Sequence, residues 1–189
     1  MTELPNRSVS RRRLLAGAAA GLSVGVAGCS GGENASITPV SLDGERACDQ
    51  CGMIIEDHPG PVGQIHFEDD EPEGGRPGQF CSSTCTYRYR FDAEAEGRTV
   101  EAAFLTDYSS VEYEVFTEGG DTQFSSHVES EAFARMSALT VVARSEVVGA
   151  MGPELIPFSE EGDVTAFTDE YGGEPMPATD VERSTLEAL

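Results

Sequence analysis

Two short segments hold most of the side chains able to do chemistry. Cys48-Asp49-Gln50-Cys51-Gly52-Met53 puts two thiols and a thioether within six residues. Downstream, with 29 residues between Cys51 and Cys81, Phe80-Cys81-Ser82-Ser83-Thr84-Cys85 supplies two more thiols. Sulfur donors select soft ions, Cu(I) above all, with Zn(II) as the usual competitor. Gly52 lets the first segment fold back, because glycine adopts conformations that other residues resist. Met53 can then point at the same ion as Cys51. A second loop thioether, Met151, stands in Gly149-Ala150-Met151-Gly152-Pro153. Met136, beside Phe133, reads as core, and Met176, between two prolines, sits near the chain end; neither is counted as a ligand. His58, in the rigid Glu56-Asp57-His58-Pro59-Gly60-Pro61 turn, is an additional candidate. His66 and His127 read as structural or surface residues.

The same residues admit other readings. Cys48, Cys51, Cys81 and Cys85 could close a tetrahedral Zn(II) site, with a helix start favouring the thiolates of Cys81 and Cys85, and so stabilise an interaction module that presents a surface to a partner complex. They could also form two short disulfides in an exported chain. Thiol–disulfide exchange is the third alternative, although such a site needs a strand just before Cys-x-x-Cys and a helix just after it. A spacer precedes this one and a Pro-rich turn follows. Thioethers separate these readings, since they add little for Zn(II) and suit Cu(I). The sequence carries no nucleophile elbow, phosphate-binding glycine loop or paired-carboxylate spacing, so a binding protein rather than an enzyme is expected.

The chain opens with an export signal over residues 1–28. Arg11-Arg12-Arg13 is a twin-arginine pattern, and the apolar run from Leu14 to Gly28 is too short for a membrane span. Val26-Ala27-Gly28-Cys29 resembles a lipobox, which would make Cys29 the lipidated mature N-terminus. The protein is thus expected on the outer face of the cell membrane, held by a lipid. Residues 29–44 read as a flexible tether, 45–174 as the folded domain, and 175–189 as an acidic end that frays. The chain has 12 Arg and no Lys against 34 Asp and Glu; without residues 1–28, which hold four Arg and one Glu, the formal charge is −25. Such an even acidic surface fits a halophilic setting, where salt screens self-repulsion. It excludes nucleic acid as a partner, because nothing here would neutralise phosphates.

An α+β fold must position the sulfurs. Val62–Phe67 alternates like a strand, and 68–78 reads as an acidic Gly/Pro loop. Ser82 or Ser83 can cap a helix to about Ala95, with Tyr87, Phe91 and Ala95 on its inner face. Strands are expected at 102–107, 112–117 and 139–143. A second helix begins near Phe158-Ser159-Glu160-Glu161, turns Val164 and Phe167 inward and ends at Gly172-Gly173. Strands followed by a helix occur in two rounds.

Several motifs, in order, resemble the NosL family of copper-binding lipoproteins. They are Cys51-Gly52-Met53, His58-Pro59-Gly60-Pro61, Gly63-Gln64-Ile65, Phe80-Cys81-Ser82-Ser83, Thr106-Asp107-Tyr108-Ser109 and Ser145 to Glu154, with Ile156-Pro157-Phe158-Ser159 just after. The resemblance implies two small ββα units, similar to treble-clef or TRASH-like modules, within one domain. It implies Cu(I) held outside the cell and passed, through a membrane ABC-type maturation complex, to nitrous oxide reductase during denitrification. By motif, the family's copper ligands fall on Cys51, Met53 and Met151. Cys48, Cys81 and Cys85 go beyond the single cysteine of many relatives and resemble TRASH-like cysteine elements, so Zn(II) or a thiolate-rich copper site stays open.

Overall fold

Two phenylalanines mark the places where a strand hands the chain to a helix, and they organise the fold. The computed structural model describes residues 37–69 and 72–189. The signal segment, Cys29 and residues 29–36 of the expected tether lie outside the described residues. In chain order the first elements are β1 Gly63–Phe67, β2 Gly78–Phe80, α1 Ser83–Ala95 and β3 Val100–Thr106. Then come β4 Val115–Glu118, β5 Asp121–Phe124, β6 Phe133–Arg135, β7 Thr140–Ala143, β8 Val147–Gly149 and β9 Gly152–Pro153. The last are β10 Ile156–Phe158, α2 Glu161–Tyr171, β11 Glu174–Pro177 and α3 Arg183–Glu187.

The expected α+β class and the two ββα rounds are both present. In the first, β1 pairs antiparallel with β2, Gly63 facing Phe80, and α1 starts three residues after Phe80. In the second, β7 pairs antiparallel with β10, Thr140 facing Phe158, and α2 starts three residues after Phe158. Each helix is followed by a strand that joins the free side of the opening strand, β3 beside β1 and β11 beside β7. The sheets therefore run β2–β1–β3–β6 and β10–β7–β11. A third sheet, β4–β5–β8–β9, contains a parallel β5–β8 pair, and its strands of two to four residues are too short to show periodicity in the sequence.

α1 forms where a cap and a buried stripe coincide. Ser82 is extended, and its Oγ accepts the Cys85 N–H at 2.9 Å. Cys85, Tyr89 and Ala93, spaced by four, lie against one core with Phe80 and Ile65. Tyr87 and Phe91 meet a second core with Leu105, Val141 and Leu155. Ala95, expected to face inward, is exposed. The helix sits in the valley between two cores, so its final turn leaves the Tyr87–Phe91 stripe and buries Ala93 instead. On α2, Val164 and Phe167 are buried as expected, and Phe167 meets Phe158 and Phe124 with ring centroids 5.1 and 5.6 Å apart. β4 begins at Val115, later than the expected Glu112, because Glu114 engages Ser125 outside the regular ladder.

Both ends of the domain are more ordered than the sequence suggests. Within the expected tether, Leu42 is fully buried and donates its N–H to Val128 O, while Gln64 forms a reciprocal amide pair with Val40. The expected fraying end instead provides β11 and α3, and Ala178, Val181 and Leu186 enter the second core. Apolar residues spaced through an acidic stretch, rather than its overall polarity, decide the outcome. Tyr87 ties this end down by donating its buried hydroxyl to Ala178 O at 2.8 Å. Tyr87→Phe would strand that carbonyl and is expected to cost about 1–3 kcal/mol. Urea unfolding in high salt reads the loss, and hydrogen exchange should rise first in residues 178–187.

Candidate metal centre

The first sulfur segment is a closed turn. Ala47 and Ile54 bridge antiparallel at its base, Cys48 N–H donates to Met53 O at 2.8 Å, and Gly52 N–H donates to Cys48 O at 2.8 Å. Gly52 makes the reversal at φ 80°, in the left-handed region. The turn is fastened to β2, the strand that leads to Cys81. Asp49 N–H donates to Gln79 O at 2.9 Å, Gln79 N–H donates back to Asp49 Oδ2 at 2.8 Å, and Arg76 grips the Asp49 carboxylate through both of its oxygens. A bidentate guanidinium–carboxylate pair adds direction as well as attraction. These backbone and carboxylate bonds bring residues far apart in sequence to one place.

The result is a four-sulfur group. The Sγ atoms of Cys48, Cys51, Cys81 and Cys85 all lie within 4.8 Å of one another. Cys51 and Cys81 are 3.4 Å apart, and Cys81 and Cys85 are 3.9 Å apart. All four are free thiols, so neither local disulfide is present. Three thiols are buried and Cys51 is exposed, which gives the group one face open to solvent. Cys48 is drawn well below the usual thiol range by hydrogen bonds from the Cys81 and Cys85 thiols. The same contacts push Cys81 up, and Cys85 is pushed up to about 12 by its bond to Cys48 and by burial. Without a cation the group stabilises one thiolate among protonated neighbours; a bound soft cation lets the others ionise.

Met53 borders this group. Half-buried Met53 packs against the core that contains Cys48, Cys81 and Cys85, and so does Ala150, the neighbour of Met151. Ala150-Met151 is the two-residue turn of the β8–β9 hairpin, and Met151 is 37% exposed. His58 is half-buried and outside the four-sulfur group. His127 shares a hydrogen bond with Ser125, and His66 lies edge-on to Phe104, so both are structural. Met136 is buried in the second core, and Met176 packs against it.

Sequence reasoning passed over Glu154, the residue that joins the Met151 hairpin to the cysteine helix. Its Oε1 accepts Thr84 N–H at 2.8 Å, Thr84 Oγ–H at 2.9 Å and Leu155 N–H at 2.9 Å. Thr84 lies between Cys81 and Cys85, in the first turn of α1. Gly149 is required beside it, since a Cβ there would sit 3.0 Å from the Glu154 side chain and from Gly60 O. One signal was present: an acid embedded in the apolar run from Met151 to Phe158.

The NosL family model matches residues 39–186. The chain belongs to the NosL family. A curated relative, the copper-binding lipoprotein NosL of Stutzerimonas stutzeri, is 28% identical over 168 residues, covering 88% of this chain and 78% of its own length. The crystal structure of the copper chaperone NosL from Shewanella denitrificans matches the fold with a TM-score of 0.60 at 23% identity, over 76% of this chain and 95% of that one. No helix among the described residues is long and apolar enough to cross a membrane.

Burial moves the Glu154 carboxyl from 4.5 to about 7, against the pull of its hydrogen bonds. Between those values the folded chain holds more protons than the unfolded one, so this group's contribution to stability falls as pH rises. The displacement corresponds to about 3 kcal/mol, lost by the time pH passes the folded value. Unfolding free energies of the native protein and Glu154→Gln, compared from pH 4.5 to 8, should diverge by about that amount in favour of the variant. Parallel curves would show that Glu154 does not titrate there.

Proposed function

We propose that this protein is a Cu(I) carrier, lipid-anchored through Cys29 on the outer face of the membrane, which delivers copper for assembly of nitrous oxide reductase. The observation that carries this reading is the four-sulfur group with a single exposed member, Cys51, flanked by the thioether of Met53. Cu(I) accepts two or three soft ligands. Cys51 meets incoming copper at the surface, and Met53 and Met151 complete a set that holds it. Thioethers need no deprotonation and add no charge, so they bind the ion without closing it into a permanent cage. Stepwise ligand exchange can then pass copper onward, and the membrane ABC-type maturation complex is the proposed route to the reductase. Binding and delivery require no catalytic group, in keeping with relatives named as a copper-binding lipoprotein and a copper chaperone.

Thiol–disulfide exchange is less well supported. The Cys48–Cys51 turn is followed by a short 3-10 turn, Ile55–Asp57, rather than by a helix that would activate the first thiol.

Anaerobic titration of the reduced protein with Cu(I), against a competing chelator, tests the proposal. One tightly held copper is expected. Met53→Leu and Met151→Leu should each weaken binding by about tenfold or more, ~1.4 kcal/mol, while far-UV circular dichroism stays unchanged. Unaltered affinity in both variants would remove the thioethers from the copper site.

A further inference from the structure

The two ββα rounds align residue by residue at their loops, and the alignment assigns a second role to the cysteines. Asp49 N–H donates to Gln79 O, the residue before Phe80, at 2.9 Å. Tyr108 N–H donates to Pro157 O, the residue before Phe158, at 3.1 Å. Matching these bonds places Asp107 at the position of Cys48 and Ser110 at that of Cys51. Matching Phe158 to Phe80 places Ser159 at Cys81 and Asp163 at Cys85.

The second unit fastens its loop to its helix start without sulfur. Buried Asp107 accepts Ser159 N–H at 2.9 Å and Ser109 N–H at 3.0 Å, and Glu160 N–H donates to Ser109 Oγ at 3.1 Å. In the first unit the equivalent of Asp107 is Cys48, whose sulfur lies within 4.8 Å of the other three. There the joint consists of sulfur facing sulfur. Four thiolates at about 2.3 Å from a central ion form a tetrahedron with edges of about 3.8 Å. The observed separations of 3.4 and 3.9 Å, with all four sulfurs inside 4.8 Å, need only small adjustment to reach it.

We infer that Cys48, Cys51, Cys81 and Cys85 also form a resident four-thiolate site for a tetrahedral divalent cation of the Zn(II) class. The ion fastens the first loop to α1, as Asp107 fastens the second loop to α2. Tetrahedral S4 geometry selects Zn(II) among common divalent ions, and a closed four-ligand shell is the structural form of such sites. Zn(II) and Cu(I) share Cys51, whose exposure makes it the ligand that incoming copper can capture. The inference goes beyond the copper reading and rests on the cysteines alone.

Cobalt(II) is the probe. The full-length protein, reduced and handled without oxygen, is expected to take up one equivalent. It should show the intense ligand-field and sulfur charge-transfer bands of tetrahedral thiolate cobalt, and one equivalent of Zn(II) should abolish them. Met53→Leu/Met151→Leu, with all four thiols intact, should give the same bands, whereas Cys85→Ser should lose the four-sulfur spectrum. Six-coordinate cobalt spectra, or no uptake with four reduced thiols, would overturn the inference even if Cys85→Ser does not fold. The assignment of thioethers to the copper site fails separately, through unchanged Cu(I) affinity in the double methionine variant.

Discussion

Four sulfur atoms held within 4.8 Å of one another cannot all carry charge unless a cation lies among them. That constraint organises the first half of the protein. The Cys48–Met53 turn, its anchorage to β2 through Asp49 and Gln79, and the Ser82 cap on α1 all place thiols rather than build bulk core. Without metal, Cys48 is the favoured thiolate, held by hydrogen bonds from the Cys81 and Cys85 thiols. With metal, the same geometry becomes a coordination shell. Soft-ion affinity therefore follows from how the backbone is bonded, and the identity of the ion from how many sulfurs engage it.

The second half shows what this scaffold does when sulfur is absent. Asp107 takes the place of a thiolate and receives two backbone N–H groups, and an aromatic group around Phe124, Phe158 and Phe167 supplies the packing. One architecture thus occurs twice, once joined by sulfur and once by a carboxylate with aromatic core. The hairpin carrying Met151 connects the halves, since Glu154 at its base accepts from the first turn of α1. A thioether from the second half is thereby tethered to the start of the helix that bears two of the cysteines.

Much of this was legible before any coordinates. The sulfur residues declare themselves by type and spacing, and the Ser82 cap, the inward Val164 and Phe167 and the stop at Gly172 follow from local rules that act within one turn of chain. What stayed hidden depends on distant partners. The burial of Leu42 requires Val128, the order of residues 174–187 requires the second core, and the role of Glu154 requires Thr84, seventy residues away. β1 alternates in sequence, yet four of its five residues are buried, because it is central in its sheet and covered on both faces. The convergence of Cys51 with Cys81 belongs to the same class: spacing permits it, and only the Asp49–Gln79 anchorage enforces it.

X-ray absorption at the copper edge, on reduced protein loaded with one equivalent of Cu(I), tests the central claim most directly. A first shell made only of sulfur, which changes when Met53 or Met151 is replaced by leucine, is the predicted result. A shell containing nitrogen or oxygen, or one indifferent to those replacements, would contradict the claim that soft donors from two distant loops meet on a single copper ion.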